Sequence, residues 1–146
     1  MTSSEKTSQK VLGQPDDLNL EFFRRVAATG RLHLQCCDSC GGYAHPPRMY
    51  CHRCFSGDYS YEEVSGRGFV YSYTVSHHTA EPAWLPELPY ATLVVELDEG
   101  PRIVAAAAVD DPATLRIGQR VRVGAERRTD DFAYFTARLD EGQGGS

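Results

Sequence analysis

The hydrophobic and polar positions of this chain repeat with two different periods. Between residues 16 and 30, apolar side chains recur every three to four positions, which predicts one amphipathic helix carrying Phe22 and Phe23 on its apolar side. Asp16 can cap its start and Gly30 its end. One helix of this length cannot bury its own apolar stripe, so that face needs a surface within the chain or on another protein.

From residue 61 onward the pattern changes to the alternation of half-buried strands. Polar or glycine-containing connections separate five such segments, at 68–75, 90–97, 102–109, 120–128 and 132–139. Five short strands favour a small barrel of the OB-fold type, and a β-sandwich is less suited to this strand count. The alternating segment 31–35 predicts a further short strand. The patterns together predict a mainly β protein with an N-terminal helix.

The five cysteines all lie between residues 36 and 54, and four of them form two C-x2-C pairs: Cys37 with Cys40, and Cys51 with Cys54. Two thiolates three positions apart can point from one tight turn at one ion, and a second such turn completes a tetrahedron. Zinc is the expected metal, and iron is the alternative because it binds the same four thiolates. Four cysteines fill the coordination shell, so we expect a structural site.

Three other side chains in this segment could compete for the metal. Cys36 is adjacent to Cys37, but only Cys37 gives two matching pairs. His45 and His52 are possible substitute ligands, and we expect both to be solvated beside a complete site.

The domain organisation predicted from these patterns has five parts. They are a flexible arm (1–15), a helix and short strand (16–34), a rubredoxin-like zinc ribbon (35–60), an OB-fold barrel (61–140) and a flexible tail (141–146). We also expect metal removal to melt the ribbon while the barrel keeps its β-structure.

Composition and charge narrow the classes of function. The 146 residues are 41% hydrophobic and 24% charged, as is usual for a soluble globular protein. Neither half of the chain has a basic excess and the net charge is -5, which weighs against a nucleic-acid partner. The sequence shows no run of roughly 20 apolar residues and no apolar segment of a secretory signal near its start. We therefore expect a cytoplasmic protein without a membrane segment.

The order of several motifs resembles a known family. The pair FF at 22–23 precedes GRLHLQCCDSCGGYAHPPRMYCHRC, which is followed by SGRGFVYSYTVSHH, PYATLVVELDEG and IGQRVRV. This order resembles the zinc-ribbon/OB-fold proteins that accompany thiolase-type acyl-CoA enzymes, a family long catalogued as a domain of unknown function. The resemblance runs from residue 18 to residue 125. One departure is Phe55, which stands where a glycine commonly follows the last cysteine.

The resemblance implies a small, non-catalytic subunit bound to a thiolase-fold enzyme, or in some cases to a hydratase of the MaoC type. It implies that the partner cleaves or forms carbon–carbon bonds on CoA thioesters, including retro-aldol cleavage in steroid side-chain breakdown and acyl transfer. It also assigns the metal to Cys37, Cys40, Cys51 and Cys54.

Candidate contacts with a partner or with CoA lie outside the cysteine segment. The 14-residue connection 76–89 holds three prolines and the single tryptophan, Trp84. Phe22, Phe23 and Trp84 are candidate partner contacts, and Trp84 is either an interface anchor on a stiff loop or a plug at one end of the barrel. Arg120 and Arg122 share a strand face and are candidate contacts for CoA phosphates, with a mixed solvated surface as the alternative.

No catalytic constellation is recognisable in the sequence. The adjacent histidines His77 and His78 lack a recognisable triad around them, and adjacent strand residues point to opposite faces. Three functions therefore remain: an accessory subunit of an acyl-CoA enzyme, a nucleic-acid-binding zinc-ribbon/OB module, and a protein that binds or converts a CoA thioester directly.

Overall fold

The computed structural model describes residues 15–140, which begin with one helix, α1 (Asp17–Thr29). The Asp16 carboxylate accepts a hydrogen bond from the backbone N–H of Asn19 at 2.9 Å and caps the helix start. Gly30 ends the helix in the left-handed conformation. Both helix ends therefore lie where the sequence predicts them.

The two predicted flexible segments, 1–15 and 141–146, lie outside the described residues except for Pro15. Within the described part of the chain, no helix is long and apolar enough to span a membrane.

The helix leads into an antiparallel three-stranded sheet. Its strands are β1 (His33–Cys37), β2 (Tyr43–Ala44) and β3 (Tyr59–Glu63), in the order β2-β1-β3. Every residue of β3 pairs with β1. The predicted boundary between ribbon and barrel, at residues 60 and 61, therefore runs through a strand of the ribbon sheet.

The remaining five strands close into a barrel in the order β4-β5-β6-β8-β7. They are β4 (Arg67–Ser76), β5 (Tyr90–Leu97), β6 (Arg102–Ala107), β7 (Arg120–Thr129) and β8 (Phe132–Leu139). A Cβ at Gly68 would collide with the Glu96 carbonyl oxygen, so the crossing of β4 and β5 requires glycine. The predicted fold, a zinc ribbon followed by a five-stranded OB-fold, is confirmed.

The seam between β6 and β8 is the least paired part of the barrel. These two parallel strands are in register at Ala106–Thr136 and Ala107–Ala137. These are the two residue pairs of the β6–β8 ladder, whereas β7 and β8 pair along almost their whole lengths. The barrel is therefore closed at this seam by a short ladder only.

One hydrophobic core joins the helix, the ribbon sheet and the barrel. The ring of Phe22 lies 6.3 Å from that of Tyr61 in β3 and 5.9 Å from that of Phe135 in β8. Phe22 is 1% exposed, so its assignment to a partner-binding surface is wrong. The helix packs between the two sheets, and the chain's own core takes up this ring. Phe23 is half-buried at the edge of the same core.

Candidate metal centre and barrel groove

The four predicted metal ligands come together at the end of the ribbon. The sulfur atoms of Cys37, Cys40, Cys51 and Cys54 all lie within 4.8 Å of one another. Two of the separations are 3.5 Å, from Cys37 to Cys54, and 3.6 Å, from Cys40 to Cys51. A tetrahedron with metal–sulfur bonds of ~2.3 Å has edges of ~3.8 Å. The thiols therefore fit a tetrahedral ion, and the cluster is a metal-binding site.

The two cysteine pairs sit on equivalent turns. Gly41 donates its backbone N–H to the Cys37 carbonyl at 2.9 Å, and Phe55 donates to the Cys51 carbonyl at 2.8 Å. Both residues have positive φ, 77° for Gly41 and 64° for Phe55. Phe55 thus occupies a position that favours glycine, and its side chain is 77% exposed. The replacement of the common glycine by Phe55 therefore leaves the turn intact but strained.

We expect Phe55→Gly to stabilise the metal-loaded protein by about 1 kcal/mol, because glycine adopts this backbone conformation without steric cost. The measurement is thermal unfolding monitored by circular dichroism. Gly41→Ala is the matched control, since a Cβ at Gly41 meets no atom within 4 Å and only the backbone strain changes. This control should be destabilised by a similar amount. A lower melting temperature for Phe55→Gly would contradict the expectation.

Backbone N–H groups lower the pKa of two of the four thiols. The Cys40 N–H, followed by that of Ser39, lowers the pKa of Cys37. The Cys54 and Arg53 N–H groups lower the pKa of Cys51 to about 6. The Ser56 N–H acts on Cys54 in the same direction, but neighbouring thiols, Cys37 first, outweigh it and raise the pKa of Cys54 to about 11. A bound cation would favour the thiolate form of all four.

The three competing side chains are not part of the thiol cluster. Cys36 is buried, its S–H points at the Gly41 carbonyl oxygen 3.6 Å away, and burial raises its pKa. The ring of His45 lies 5.1 Å from that of Phe22, and burial lowers the pKa of His45 to about 4. His45 is therefore packed against the core, whereas the expectation was a solvated loop histidine. His52 is exposed.

Sequence reasoning missed a buried amide that holds the loop between the two cysteine pairs. The Gln35 side chain accepts a hydrogen bond from the Arg48 N–H at 2.9 Å and donates one to the Arg48 carbonyl at 2.8 Å. Gln35 is buried in β1, and buried polar groups need such partners. A glutamine at a buried strand position is the sequence signal that could have identified this contact.

A groove of about 530 Å³ lies along the β6–β8 seam of the barrel. Its floor is the alanine run 105–108, which comprises the last three residues of β6 and the residue that follows them. Six aromatic side chains line it: Phe23, Trp84, Tyr90, Phe132, Tyr134 and Phe135. OB-folds bind ligands on this face, between the loop joining their first two strands and the loop joining their last two. The groove therefore offers an apolar, aromatic binding surface.

Trp84 lies at the mouth of this groove. It sits in a 3-10 turn, Pro82–Glu87, and its ring is 5.0 Å from that of Tyr90. The tryptophan is half-buried, and the barrel core does not include it. Trp84 is thus not a plug within the barrel core, and its role as a partner anchor stays a prediction.

The two candidate CoA-phosphate contacts differ in their surroundings. Arg120 binds both carboxylate oxygens of Asp98, at 3.0 and 3.1 Å, and this contact raises the pKa of Arg120. Its guanidinium is thus already occupied. Arg122 is exposed and makes no ion pair with any residue of the described part of the chain.

Comparisons with known proteins match both parts of the chain. The protein-family model described as "ChsH2, rubredoxin-like zinc ribbon domain" matches residues 24–60. A second family model, "ChsH2, C-terminal OB-fold domain", matches residues 61–126. Among solved structures, the chain superposes on a subunit of the Ltp2-ChsH2(DUF35) aldolase with a TM-score of 0.77 and 33% identity. That match covers 87% of this chain and 98% of the other.

Curated relatives include proteins of different lengths. The chain is 40% identical, over 81% of its length, to a probable enoyl-CoA hydratase alpha subunit of Thermomonospora curvata, and it spans 38% of that protein. It is 33% identical, over 65% of its length, to a DUF35 domain-containing scaffold protein of Methanocaldococcus jannaschii and spans 67% of it. It is 35% identical, over 56% of its length, to the 3-oxo-4,17-pregnadiene-20-carboxyl-CoA hydratase alpha subunit of Mycobacterium tuberculosis and spans 26% of it.

Proposed function

Because this chain belongs to the DUF35 family of zinc-ribbon and OB-fold proteins, we propose that it is the non-catalytic accessory subunit of a thiolase-fold acyl-CoA enzyme. The partner carries out retro-aldol or thiolytic cleavage, or acyl transfer, on a CoA thioester, for example in steroid side-chain degradation. This chain stabilises the partner and shapes its substrate channel. The complex is a cytoplasmic hetero-oligomer.

The aromatic groove is the observation that carries this proposal. Its six aromatic side chains and alanine floor form the kind of surface that proteins use to anchor partners. The names of the relatives also support an accessory role. They describe a scaffold protein, two alpha subunits and one part of an aldolase pair. The groove residues Phe23 and Trp84 are therefore proposed partner contacts.

The metal centre supports a structural role for this chain, with the partner as the catalytic subunit. We assign zinc to the four thiols, with iron as the alternative, since tetrahedral sulfur sites suit both metals. Four sulfur ligands leave no position for water or substrate. When bound, the ion would cross-link the two turns. Elemental analysis of the purified chain should find one zinc per molecule.

The proposal is tested by co-expressing this chain with the thiolase-fold protein encoded nearest to its gene. We expect the two proteins to elute together in size-exclusion chromatography, with acyl-CoA turnover only when both are present. Turnover of a thioester by the purified chain alone would contradict the accessory role. Co-elution with a MaoC-type hydratase instead would favour the second candidate partner, which the two alpha-subunit relatives support.

We expect Trp84→Ala to weaken association with the partner by roughly thirtyfold, as for an aromatic anchor at an interface. The free energy of unfolding should fall by no more than about 1 kcal/mol, because the stacking on Tyr90 is lost but no core contact is. Leu85→Ala is the matched control, since Leu85 lies in the same turn, is 56% exposed and does not line the groove. Equal affinity of both variants for the partner would show that Trp84 is not part of the interface.

A zinc-ribbon/OB nucleic-acid module remains the alternative function, because the groove lies on the face where OB-folds bind oligonucleotides. Salt-sensitive binding of the isolated chain to a random oligonucleotide would support it. The net charge of -5 opposes it.

A further inference from the structure

Three arginines from three neighbouring strands lie side by side on the outer face of the barrel. Arg67 in β4 is in register with Arg122 in β7, and Arg122 is in register with Arg138 in β8. All three are exposed. Residues directly opposite each other in paired strands project on the same side of the sheet, with Cβ atoms ~5 Å apart. We call these three residues the arginine row.

The arginine row differs from most other arginines of the chain in having no acidic partner. Within residues 15–140, seven arginines form ion pairs with carboxylates: Arg24, Arg25, Arg31, Arg102, Arg120, Arg127 and Arg128. None of the three members of the row forms such a pair in that part of the chain. Arg48, Arg53 and Arg116 are also unpaired there, but none of these three lies in a strand.

The carboxylates closest to the row are engaged or set apart from it. Asp98, which follows β5 beside Arg67, is held by Arg120 through both of its oxygens. Asp140 donates its backbone N–H to the Arg120 carbonyl at 3.0 Å, and its carboxylate forms no ion pair with a residue of the described part of the chain. Asp110 and Asp111 line a surface cavity of about 500 Å³ together with Arg138, without an ion pair to it.

Like charges directly opposite each other destabilise a sheet, so a row of three arginines without ion-pair partners is destabilising in a way that a bound anion would relieve. We propose that Arg67, Arg122 and Arg138 together bind the phosphate groups of a compact polyphosphorylated ligand. Each guanidinium can hold a phosphate through two parallel hydrogen bonds. The row places three such groups within ~10 Å, given ~4.8 Å between neighbouring strands.

The spacing of the row favours a small polyphosphate over an acidic peptide. Side chains on one face of an extended peptide recur every ~6.8 Å, which is out of step with arginines one strand apart. Phosphate groups that are joined in one small molecule fit within the length of the row. This inference deepens the proposed function and rests on it for the source of the phosphates, which would be a nucleotide such as the one CoA contains.

The test is isothermal titration of the isolated, metal-loaded chain at low ionic strength. The probes are adenosine 3′,5′-bisphosphate, tripolyphosphate, inorganic phosphate and a tetraglutamate peptide. We expect the first two to bind more tightly than the last two, with affinity that falls as salt is added. Tighter binding of the bisphosphate identifies a nucleotide as the ligand, and tighter binding of tripolyphosphate identifies an inorganic polyphosphate.

Variants of the row provide the decisive comparison. Arg122→Gln should weaken binding of the preferred probe roughly tenfold, and the triple variant R67Q/R122Q/R138Q should weaken it by more than about a hundredfold. The triple variant R24Q/R31Q/R102Q is the control, because it removes the same charge from arginines that already have carboxylate partners. Its affinity should stay within about threefold of the unsubstituted chain.

Three results would overturn the proposal: no binding of either polyphosphate, equal losses in the two triple variants, or preferred binding of tetraglutamate. The titration uses the isolated chain. It therefore stands if no thiolase-fold partner is found, and its failure leaves the co-elution experiment unaffected.

Discussion

Replacing Cys51 by serine is expected to abolish metal binding and to unfold the ribbon sheet. A serine hydroxyl does not replace a thiolate ligand, and the free energy of metal binding is folding free energy for a segment this poor in apolar residues. The ribbon residues Leu34 and Tyr61 belong to the same core as the barrel residues. We therefore expect the barrel to remain folded with a melting temperature lower by about 10 °C or more.

Elemental analysis and circular dichroism measure the two parts of this prediction. Cys36→Ser is the matched control, because Cys36 is adjacent to a ligand but lies outside the metal cluster; it should retain one metal per chain. A Cys51→Ser variant with full metal content would show that another group completes the shell. Complete loss of β-structure would show that the barrel cannot fold without the ribbon.

Phe22→Ala is expected to cost about 3–5 kcal/mol of the free energy of unfolding, as for other aromatic residues removed from a core. The Phe22 ring contacts four others, those of Phe23, His45, Tyr61 and Phe135. It therefore links the helix to both sheets. Urea unfolding of the metal-loaded protein measures the loss.

Phe23→Ala is the matched control for Phe22→Ala, since it removes the adjacent, half-buried ring. Phe23 lines the groove and lies 4.9 Å from Phe132, so its removal should cost less stability and should weaken partner association more. If Phe22→Ala were the milder of the two, the core assignment of Phe22 would be wrong.

The strands of the barrel and the metal ligands could be predicted because their signals are local. The predicted strands 90–97 and 132–139 agree with β5 and β8, since alternation of apolar and polar residues directly encodes a half-buried strand. The spacing of the cysteines encodes two tight turns in the same local way. The helix is defined by a capping carboxylate and a terminal glycine next to the apolar stripe.

The roles of single side chains could not be predicted, because contacts between distant segments decide them. Phe22 and Phe23 are adjacent and chemically identical, and only the packing of α1 on β3 and β8 separates a core ring from a groove ring. Arg120 and Arg122 share a strand face, but Asp98, 22 positions away from Arg120 in the chain, occupies only one of them. The arginine row depends on strand register, which is specified by the closed barrel and not by local sequence.

The short β6–β8 seam leaves most of the groove without a backbone ladder between its two walls. Beyond the two residue pairs that join these strands, the walls carrying Val104 and Phe132 have no ladder between them; Val104 pairs with β5 and Phe132 with β7. The side chains on these two strands, and not a backbone ladder, therefore determine the width of the groove. Substituting a few wall residues would therefore change the bulk that the groove accepts, while the sheet order and the metal-held end stay the same.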